Sequence, residues 1–239
     1  MKRAYLKAIS YYLPEQVLAN EELVNEFPEW TVEKVAGKVG IDARHIAAEN
    51  ETAGDMAEQA ALNLFKDWNI DPKSIDFIML CTQSPDYFLP TTACILQHRL
   101  NIPTNAGALD YNLGCSGFIY SLAIAGNFLI TGMSKCALII MVDQYSKIID
   151  YSDKNTASLF GDAASAAILE SCPEGVGVID TSFGTDGSNY DKLIAYNSGT
   201  QKNEDKNNYL FMDGRKIFKF SISVVPTSVT EILQKNSLT

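Results

Sequence analysis

The chain has 239 residues, of which 46% are hydrophobic and 20% are charged, so its composition is that of a globular protein and not of a disordered or collagen-like one. Its 19 basic and 29 acidic residues give a formal net charge of −10, which argues against nucleic acid or an anionic membrane as the main partner. No window approaches about 18 consecutive apolar residues, so the sequence predicts no transmembrane helix and no membrane partner.

Strand and helix patterns alternate along the first two thirds of the chain. A first strand is predicted at residues 4–10. A helix is predicted from Thr52, as N-cap with Asp55 in its first turn, to about Trp68. Further short apolar runs predict buried strands at 76–82, 106–111, 135–142 and 163–170, and helices at 91–100 and about 116–130.

The last third of the chain is less regular. A new set of strands is predicted to begin at residues 175–180, and the polar, Lys/Asn-rich residues 197–208 predict a surface loop. A helix is predicted over 211–235, disturbed at Pro226. Alternation of strands and helices, with strands buried on both faces, predicts an α/β fold in which helices cover a mixed or parallel sheet.

The five cysteines show no Cys-x-x-Cys spacing, and their number is odd. Both observations indicate reduced thiols, no metal site and a cytoplasmic protein. Four of these cysteines, at positions 81, 94, 136 and 172, are interpreted as buried structural residues. Of the two histidines, His45 is predicted in a connecting segment and His98 on an exposed helix face, so neither is a convincing general base.

The strongest local feature is the turn around Cys115. A predicted strand ends before it, Gly114 and Gly117 permit a tight turn, and an apolar helix follows. The free N–H groups and partial positive charge of a helix N-terminus favour a thiolate, so we expect Cys115 to be nucleophilic. For this turn taken alone, a buried structural role for Cys115 is as well supported as a nucleophilic one. A hydrolase-type Gly-x-Cys-x-Gly elbow is excluded because Leu113 stands where the first glycine is required.

Several ordered segments along the chain belong to one recognisable pattern. They are 12–14 (YLP), 20–23 (NEEL), 39–47 (VGIDARHIA), 51–52 (ET), 82–86 (TQSPD), 89–94 (LPTTAC), 115–120 (CSGFIY), 159–164 (LFGDAA) and 212–220 (MDGRKIFKF). With these segments the chain resembles the β-ketoacyl-acyl-carrier-protein synthase III family of the thiolase superfamily.

This resemblance implies a thiolase-like layered α/β fold with mixed sheets. Residues 1–172 would form a complete first half that carries the nucleophile and a buried central helix after it, and residues 173–239 an incomplete second half. The family's catalytic His and Asn follow in segments that have no counterpart up to residue 239. We therefore expect the chain to be an N-terminal portion with poor condensation activity.

The resemblance also implies a reaction and its participants. Cys115 would take an acyl group from acyl-CoA as a thioester. Malonyl-acyl-carrier protein would then lose CO2, and its carbanion would attack the thioester, in fatty-acid initiation or a related synthesis. Acyl-CoA and the carrier protein act as substrates and no cofactor is expected. The family pairs through its first half, so a homodimer is expected.

The site residues that the resemblance implies form two groups. The acyl-CoA site would use Lys38, Lys154, Asn155, Phe160, Phe218 and Leu89. The carrier protein would dock on the basic residues Arg215, Lys216 and Lys219.

Four positions depart from the family pattern. Lys38 and Lys154 stand where many relatives have arginines, so each keeps a point charge but loses the bidentate fork. Trp30 lies eight positions before Lys38 and is interpreted as a packing residue, not as a surface that stacks on adenine. Leu89 replaces an aromatic residue, which suggests a longer or branched primer; plain loop packing is the alternative.

Two other functions remain open at this stage. The chain could be another thioester enzyme of the superfamily, such as a relative of hydroxymethylglutaryl-CoA synthase, which uses the same cysteine. It could also be a non-catalytic fragment that binds the carrier or another partner.

Overall fold

The computed structural model describes residues 3–172 and 176–239. Its strands are β1 (Arg3–Tyr12), β2 (Gln16–Ala19), β3 (Ala43–Ile46), β4 (Phe77–Cys81), β5 (Gly107–Tyr111), β6 (Cys136–Gln144), β7 (Asp162–Cys172), β8 (Leu193–Ala195) and β9 (Leu210–Met212). Its α-helices are α1 (Asn20–Glu26), α2 (Val32–Val39), α3 (Ala53–Trp68), α4 (Thr92–Arg99), α5 (Gly117–Thr131), α6 (Lys154–Ala157) and α7 (Gly214–Lys235).

The main sheet has five strands in the order β1-β7-β6-β4-β5. Strands β4, β5 and β6 run parallel, and β7 is antiparallel to both β6 and β1, so the sheet is mixed. In the parallel part, Cys81 at the end of β4 aligns with Tyr111 of β5 and Met141 of β6. The predicted mixed sheet is therefore confirmed, and each predicted strand up to residue 172 matches an observed one.

Helices cover both faces of this sheet. Side chains of a strand alternate between faces, so Ile78 and Leu80 pack in a core with α3 and α4, while Met79 packs on the opposite side with α5. Strand β4 is buried along most of its length, as its unbroken apolar run predicts. This three-layer arrangement holds the end of β4 and the start of α5 against each other, where Cys115 lies.

Helix α3 begins at the predicted cap. Thr52 accepts a hydrogen bond from the N–H of Asp55, and the Asp55 carboxylate accepts one from the N–H of Thr52, which completes a capping box. The carboxylate of Asp86 adds a third contact by accepting from the N–H of Gly54 at 2.8 Å. These bonds tie the loop after β4 to the start of α3.

The chain folds as two compact units. The described residues of the first unit lie within 3–17, 45–144, 161–172 and 176–179, and those of the second within 18–44, 145–160 and 180–239. The first unit holds the five-stranded sheet. A small core that contains Phe27, Trp30 and Val35 stabilises the second, with the buried Arg44 donating to the carbonyl of Ser158 at 2.9 Å. The predicted division at residue 172 remains a prediction.

Two predictions for the last third of the chain are wrong in their details. Residues 176–180 form no strand, since within this segment only the N–H of Val178 bonds to β1, at the Ala4 carbonyl; Gly175 lies outside the described residues. The last helix begins at Gly214 and not at residue 211, because Leu210–Met212 pairs with β8 and the Asp213 side chain caps α7. The polar loop at 197–208 is confirmed.

Helices α5 and α7 both expose apolar side chains. Helix α5 was expected to be a buried central helix, yet it buries one face only, and Ile119 and Ile130 are exposed. Helix α7 buries none of its residues, and Phe218 and Val225 on it are exposed. Within 3–172 and 176–239, no helix has both the length and the apolar character needed to cross a membrane.

Candidate active site

Cys115 lies exposed in the turn that joins β5 to α5, as predicted. The N–H of Gly117 donates to the carbonyl of Gly114 at 2.8 Å and so closes the turn around the cysteine. The carbonyl of Ser116 accepts from the N–H of Ile119 at 3.1 Å, which begins the first turn of the helix. The thiol is therefore presented at the surface directly before a helix N-terminus.

Gly117 is required by packing. A Cβ atom on Gly117 would lie 2.3 Å from Sγ of Cys81 and 3.0 Å from Cε of Met141, so no side chain fits between α5 and the ends of β4 and β6. The absence of a side chain lets the helix start directly against the sheet. This contact explains why a glycine stands two positions after Cys115.

The start of α5 can stabilise negative charge. In the structure described here, the Ser116 side chain makes no capping hydrogen bond at the start of this 15-residue helix, and the N–H groups of Gly117 and Ile119 bond to backbone carbonyls of the turn. The positive end of the helix dipole favours an anion, which suits both a thiolate at Cys115 and the oxyanion of a thioester undergoing attack. The arrangement can therefore support acyl transfer to sulfur.

Neither histidine is placed to serve as a base. His45 lies in strand β3 and not in a connecting segment, and its Nδ1 is 2.6 Å from the carbonyl oxygen of Pro14. His98 is exposed on α4, as predicted. Among residues 3–172 and 176–239, no group of three or more His, Cys, Asp or Glu side chains could hold a metal ion.

The other four cysteines, all free thiols, differ in their burial. Cys81 and Cys136 are buried in strands, as predicted, and burial raises the pKa of Cys136 to about 11. The prediction of burial is wrong for Cys94, which is exposed, and Cys172 is only half-buried. Cys94 is exposed because the buried face of α4 is formed by its neighbours Ala93 and Leu96.

In the second unit, Trp30 lies beneath two lysines. The ammonium of Lys38 lies 5.1 Å from the centroid of the indole and that of Lys154 lies 5.6 Å from it, so both make cation–π contacts. Lys154 also donates to the carboxylate of Glu29 at 2.8 Å. Trp30 is only 7% exposed and belongs to the core of this unit, which agrees with its interpretation as a packing residue. Its indole ring also contacts both lysines that were predicted for the CoA site.

Two further predicted residues of the acyl-CoA site follow Lys154 along the chain. Asn155 is exposed in the short helix α6, where its N–H and its side-chain amide both donate to the carboxylate of Asp153. Phe160 is half-buried and stacks on Tyr145 with 4.7 Å between ring centroids. Both residues thus belong to the second unit with Lys38 and Lys154.

The remaining predicted residues are exposed on two separate elements. Leu89 is 84% exposed in the loop between β4 and α4, beside the exposed Tyr87 and Phe88. Phe218 is 67% exposed on α7. The same helix also carries the three basic residues predicted to dock the carrier protein, all exposed: Arg215, Lys216 and Lys219.

Three residues near these sites were not singled out by the sequence. Glu29, which pairs with Lys154, is separated from it by 125 positions, so no local pattern could have indicated the contact. Asp143 lies on β6 close to the end of β4, and burial raises the pKa of its carboxyl to about 6. Tyr111, the last residue of β5, donates to the carbonyl of Gly117 at 2.7 Å.

The sequence of the chain is similar to that of proteins of one enzyme family. Residues 109–187 match the family model described as 3-Oxoacyl-[acyl-carrier-protein (ACP)] synthase III. A protein of Caldanaerobacter subterraneus subsp. tengcongensis named Beta-ketoacyl-[acyl-carrier-protein] synthase III is 37% identical over 95% of this chain and 70% of its own length.

Two solved structures have a closely similar fold. A 3-oxoacyl-(acyl-carrier-protein) synthase III crystal structure superposes with a TM-score of 0.95 and 40% identity, over 99% of this chain and 75% of that one. The β-ketoacyl-[acyl carrier protein] synthase III of Thermus thermophilus superposes with a TM-score of 0.89 and 32% identity, over 98% of this chain and 73% of that one.

Proposed function

Because the chain belongs to the β-ketoacyl-[acyl-carrier-protein] synthase III family, we propose that it is an acyltransferase that condenses an acyl-CoA primer with malonyl-acyl-carrier protein. The thiolase-like fold and the enzyme class follow from this membership. One structural observation identifies the residue on which the reaction depends. The Cys115 thiol is exposed directly before the N-terminus of α5, where no described side chain caps the helix.

The reaction takes place in two steps at Cys115. The sulfur of Cys115 attacks the thioester carbonyl of acyl-CoA, a new C–S bond forms, and CoA leaves as a thiol that takes the proton. Malonyl-acyl-carrier protein then loses CO2, and the resulting carbanion forms a C–C bond to the acyl carbonyl carbon. The bond to the Cys115 sulfur breaks, and the thiol regains a proton. The positive end of the α5 dipole stabilises the oxyanion of the first step.

Lys38 and Lys154 provide the charge that binds the CoA moiety. Both ammonium groups lie over the same indole ring, that of Trp30, which holds them near one another. Two lysines act as point charges that can bind phosphate without the bidentate geometry of arginine. Asn155 and Phe160 follow Lys154 along the chain and contribute a polar and an aromatic group. Phe218 adds an exposed aromatic side chain on α7.

The exposed elements bind the partners. Arg215, Lys216 and Lys219 form a basic cluster on a chain with net charge −10, which suits an acidic carrier protein. The exposed apolar side chains of Tyr87, Phe88 and Leu89 support pairing of two copies through this loop, and the small size of Leu89 supports a longer or branched primer. The cytoplasmic location expected from the five unpaired cysteines remains a prediction.

The test is condensation with a labelled second substrate. The protein is incubated with acetyl-CoA or longer acyl-CoAs and with malonyl-acyl-carrier protein labelled in its free carboxyl group. We expect slow release of labelled CO2 with slow formation of 3-oxoacyl-carrier protein, and loss of both in Cys115→Ala but not in Cys94→Ala, which removes another exposed thiol. Acylation of Cys115 without any loss of CO2 would instead indicate an enzyme of the hydroxymethylglutaryl-CoA synthase type.

A further inference from the structure

Two side chains, the buried Cys81 and the half-buried Tyr111, hold the two ends of the turn that carries Cys115. Cys81, which is 1% exposed at the end of β4, donates its S–H to the carbonyl of Leu113 with 2.9 Å between sulfur and oxygen. Tyr111 donates its hydroxyl to the carbonyl of Gly117 at 2.7 Å. Leu113 comes two positions before Cys115 and Gly117 two positions after it. The hydrogen bonds therefore enclose the nucleophile symmetrically.

The Cys81 sulfur also contacts the second end of the turn. The position that a Cβ of Gly117 would occupy is 2.3 Å from Sγ of Cys81, so this sulfur fills the space that a side chain at Gly117 would need. Cys81 and Tyr111 are aligned partners on the adjacent strands β4 and β5. One sulfur and one hydroxyl at the same edge of the sheet thus fix the turn at Leu113 and at Gly117.

We propose that Cys81 and Tyr111 are positioning residues for Cys115, and that their S–H and O–H donors hold the turn from Leu113 to Gly117 so that the Cys115 thiol stays at the start of α5. This inference rests on the proposed role of Cys115 as the acyl acceptor. It gives Cys81 and Tyr111 a role in the reactivity of Cys115, although neither side chain could take the place of the Cys115 thiol.

The protonation of both groups suits a donor role. Burial raises the pKa of the Cys81 thiol, so it remains an S–H donor at neutral pH. Burial likewise raises the pKa of the Tyr111 hydroxyl, which also bonds to the hydroxyl of Ser121 on α5. Because a buried carbonyl that loses its donor is costly, the turn is expected to shift when either donor is removed.

Alkylation of Cys115 by iodoacetamide at pH 7, followed by peptide mapping, measures the effect on the native protein. The exposed Cys94 serves as an internal reference in the same sample. Cys81→Ala and Tyr111→Phe each remove one donor, and Cys81→Ser keeps a donor at the same position. Cys136→Ala is the matched control, because it removes a thiol that is also buried but lies at the start of β6, at the other end of the sheet.

We expect Cys81→Ala and Tyr111→Phe to slow the alkylation of Cys115 about five-fold, since small displacements at a reacting group have large effects on rate. Cys81→Ser should remain within about two-fold of the wild-type rate, Cys136→Ala should be unchanged, and Cys94 should react equally in all variants. If Cys81→Ala does not melt cooperatively, Tyr111→Phe and Cys81→Ser provide the comparison, because the first removes a single oxygen and the second keeps the donor.

The inference would be overturned if Cys115 were alkylated at the same rate in Cys81→Ala, Tyr111→Phe and Cys136→Ala. That result would leave the proposed function intact. A wild-type Cys115 that reacts no faster than Cys94 would overturn the proposed nucleophile, and with it the positioning role. The two failures are therefore distinguishable in one experiment.

Discussion

The carboxylate of Asp143 accepts a hydrogen bond from the backbone N–H of Gln83, with 2.7 Å between the two atoms. The bond joins the end of β6 to the loop that follows β4, the loop in which Leu89 is exposed. Burial is the largest influence on this carboxyl and raises its pKa to about 6, although the bond from Gln83 opposes the shift. Asp143 is thus a half-buried acid whose charged form the fold disfavours.

Replacement of Asp143 should alter how stability depends on pH. The folded-state pKa of about 6 lies above the unfolded value of about 3.9, so the folded state binds the proton more tightly. The contribution of Asp143 to the free energy of unfolding is therefore largest below about pH 4 and falls as the pH rises to about 6. Asp143→Asn keeps the acceptor for Gln83 but cannot ionise.

We expect Asp143→Asn to gain stability relative to wild type between about pH 4 and pH 7, by about 1–2 kcal/mol, in urea unfolding at a series of pH values. Asp205→Asn, in an exposed loop, removes the same charge as a control. A difference between Asp143→Asn and wild type that is constant from pH 4 to pH 7 would show that Asp143 does not titrate in this range.

The packing of Gly117 predicts a cost for the smallest side chain. Gly117→Ala places a methyl group 2.3 Å from the sulfur of Cys81, and the expected loss is about 2–3 kcal/mol in the free energy of unfolding. Gly126→Ala is the matched control on the same helix, because its Cβ would make an ordinary contact at 3.4 Å with Ala4. The control should be neutral or gain about 0.5 kcal/mol from helix propensity. Equal effects of the two substitutions in thermal unfolding would contradict this account.

The lysine pair over Trp30 predicts how CoA binding responds to loss of charge. Lys38→Ala and Lys154→Ala should each weaken CoA binding about five- to ten-fold, because each removes one point charge for phosphate. Titration calorimetry with CoA at low and high salt measures the effect, which should shrink as salt rises. Lys66→Ala removes an exposed lysine of α3 as the control. If it weakens binding equally, these two lysines have no specific role.

The basic residues of α7 predict a salt-dependent partner interaction. Lys219→Glu reverses an exposed charge in the cluster with Arg215 and Lys216. It should weaken binding of acyl-carrier protein several-fold at low salt and have little effect at high salt. Surface plasmon resonance with immobilised carrier protein measures this, with Lys73→Glu as the matched reversal on an exposed lysine elsewhere. Equal losses for the two variants would indicate a general charge effect and not a docking surface.

Local signals in the sequence were sufficient for the strands of the main sheet and for helix α3. The spacing of Thr52 and Asp55 predicts the cap of α3, and the unbroken apolar run at Phe77–Cys81 predicts a strand buried on both faces. The glycines beside Cys115 predict its turn. In each case the element depends on contacts between residues close in sequence, or on a regular spacing of apolar residues.

Contacts between distant residues were not predictable in this way. Lys154 reaches Glu29 across 125 positions, and the donor that holds Leu113 lies on another strand. Phe211 looks like part of the following helix because it is apolar, but its pairing with β8 places it in a strand. The apolar character of α5 predicts burial, yet side chains become buried only where another element covers them.

Acylation of Cys115 is the most direct test of the central claim. The intact mass of the denatured protein is measured with and without acetyl-CoA and longer acyl-CoAs, for wild type, Cys115→Ala and Cys94→Ala. The account predicts that wild type and Cys94→Ala gain the mass of one acyl group and that Cys115→Ala gains none. Absence of any gain in wild type with every acyl-CoA, or an equal gain in Cys115→Ala, would contradict the role of Cys115 as the acyl acceptor.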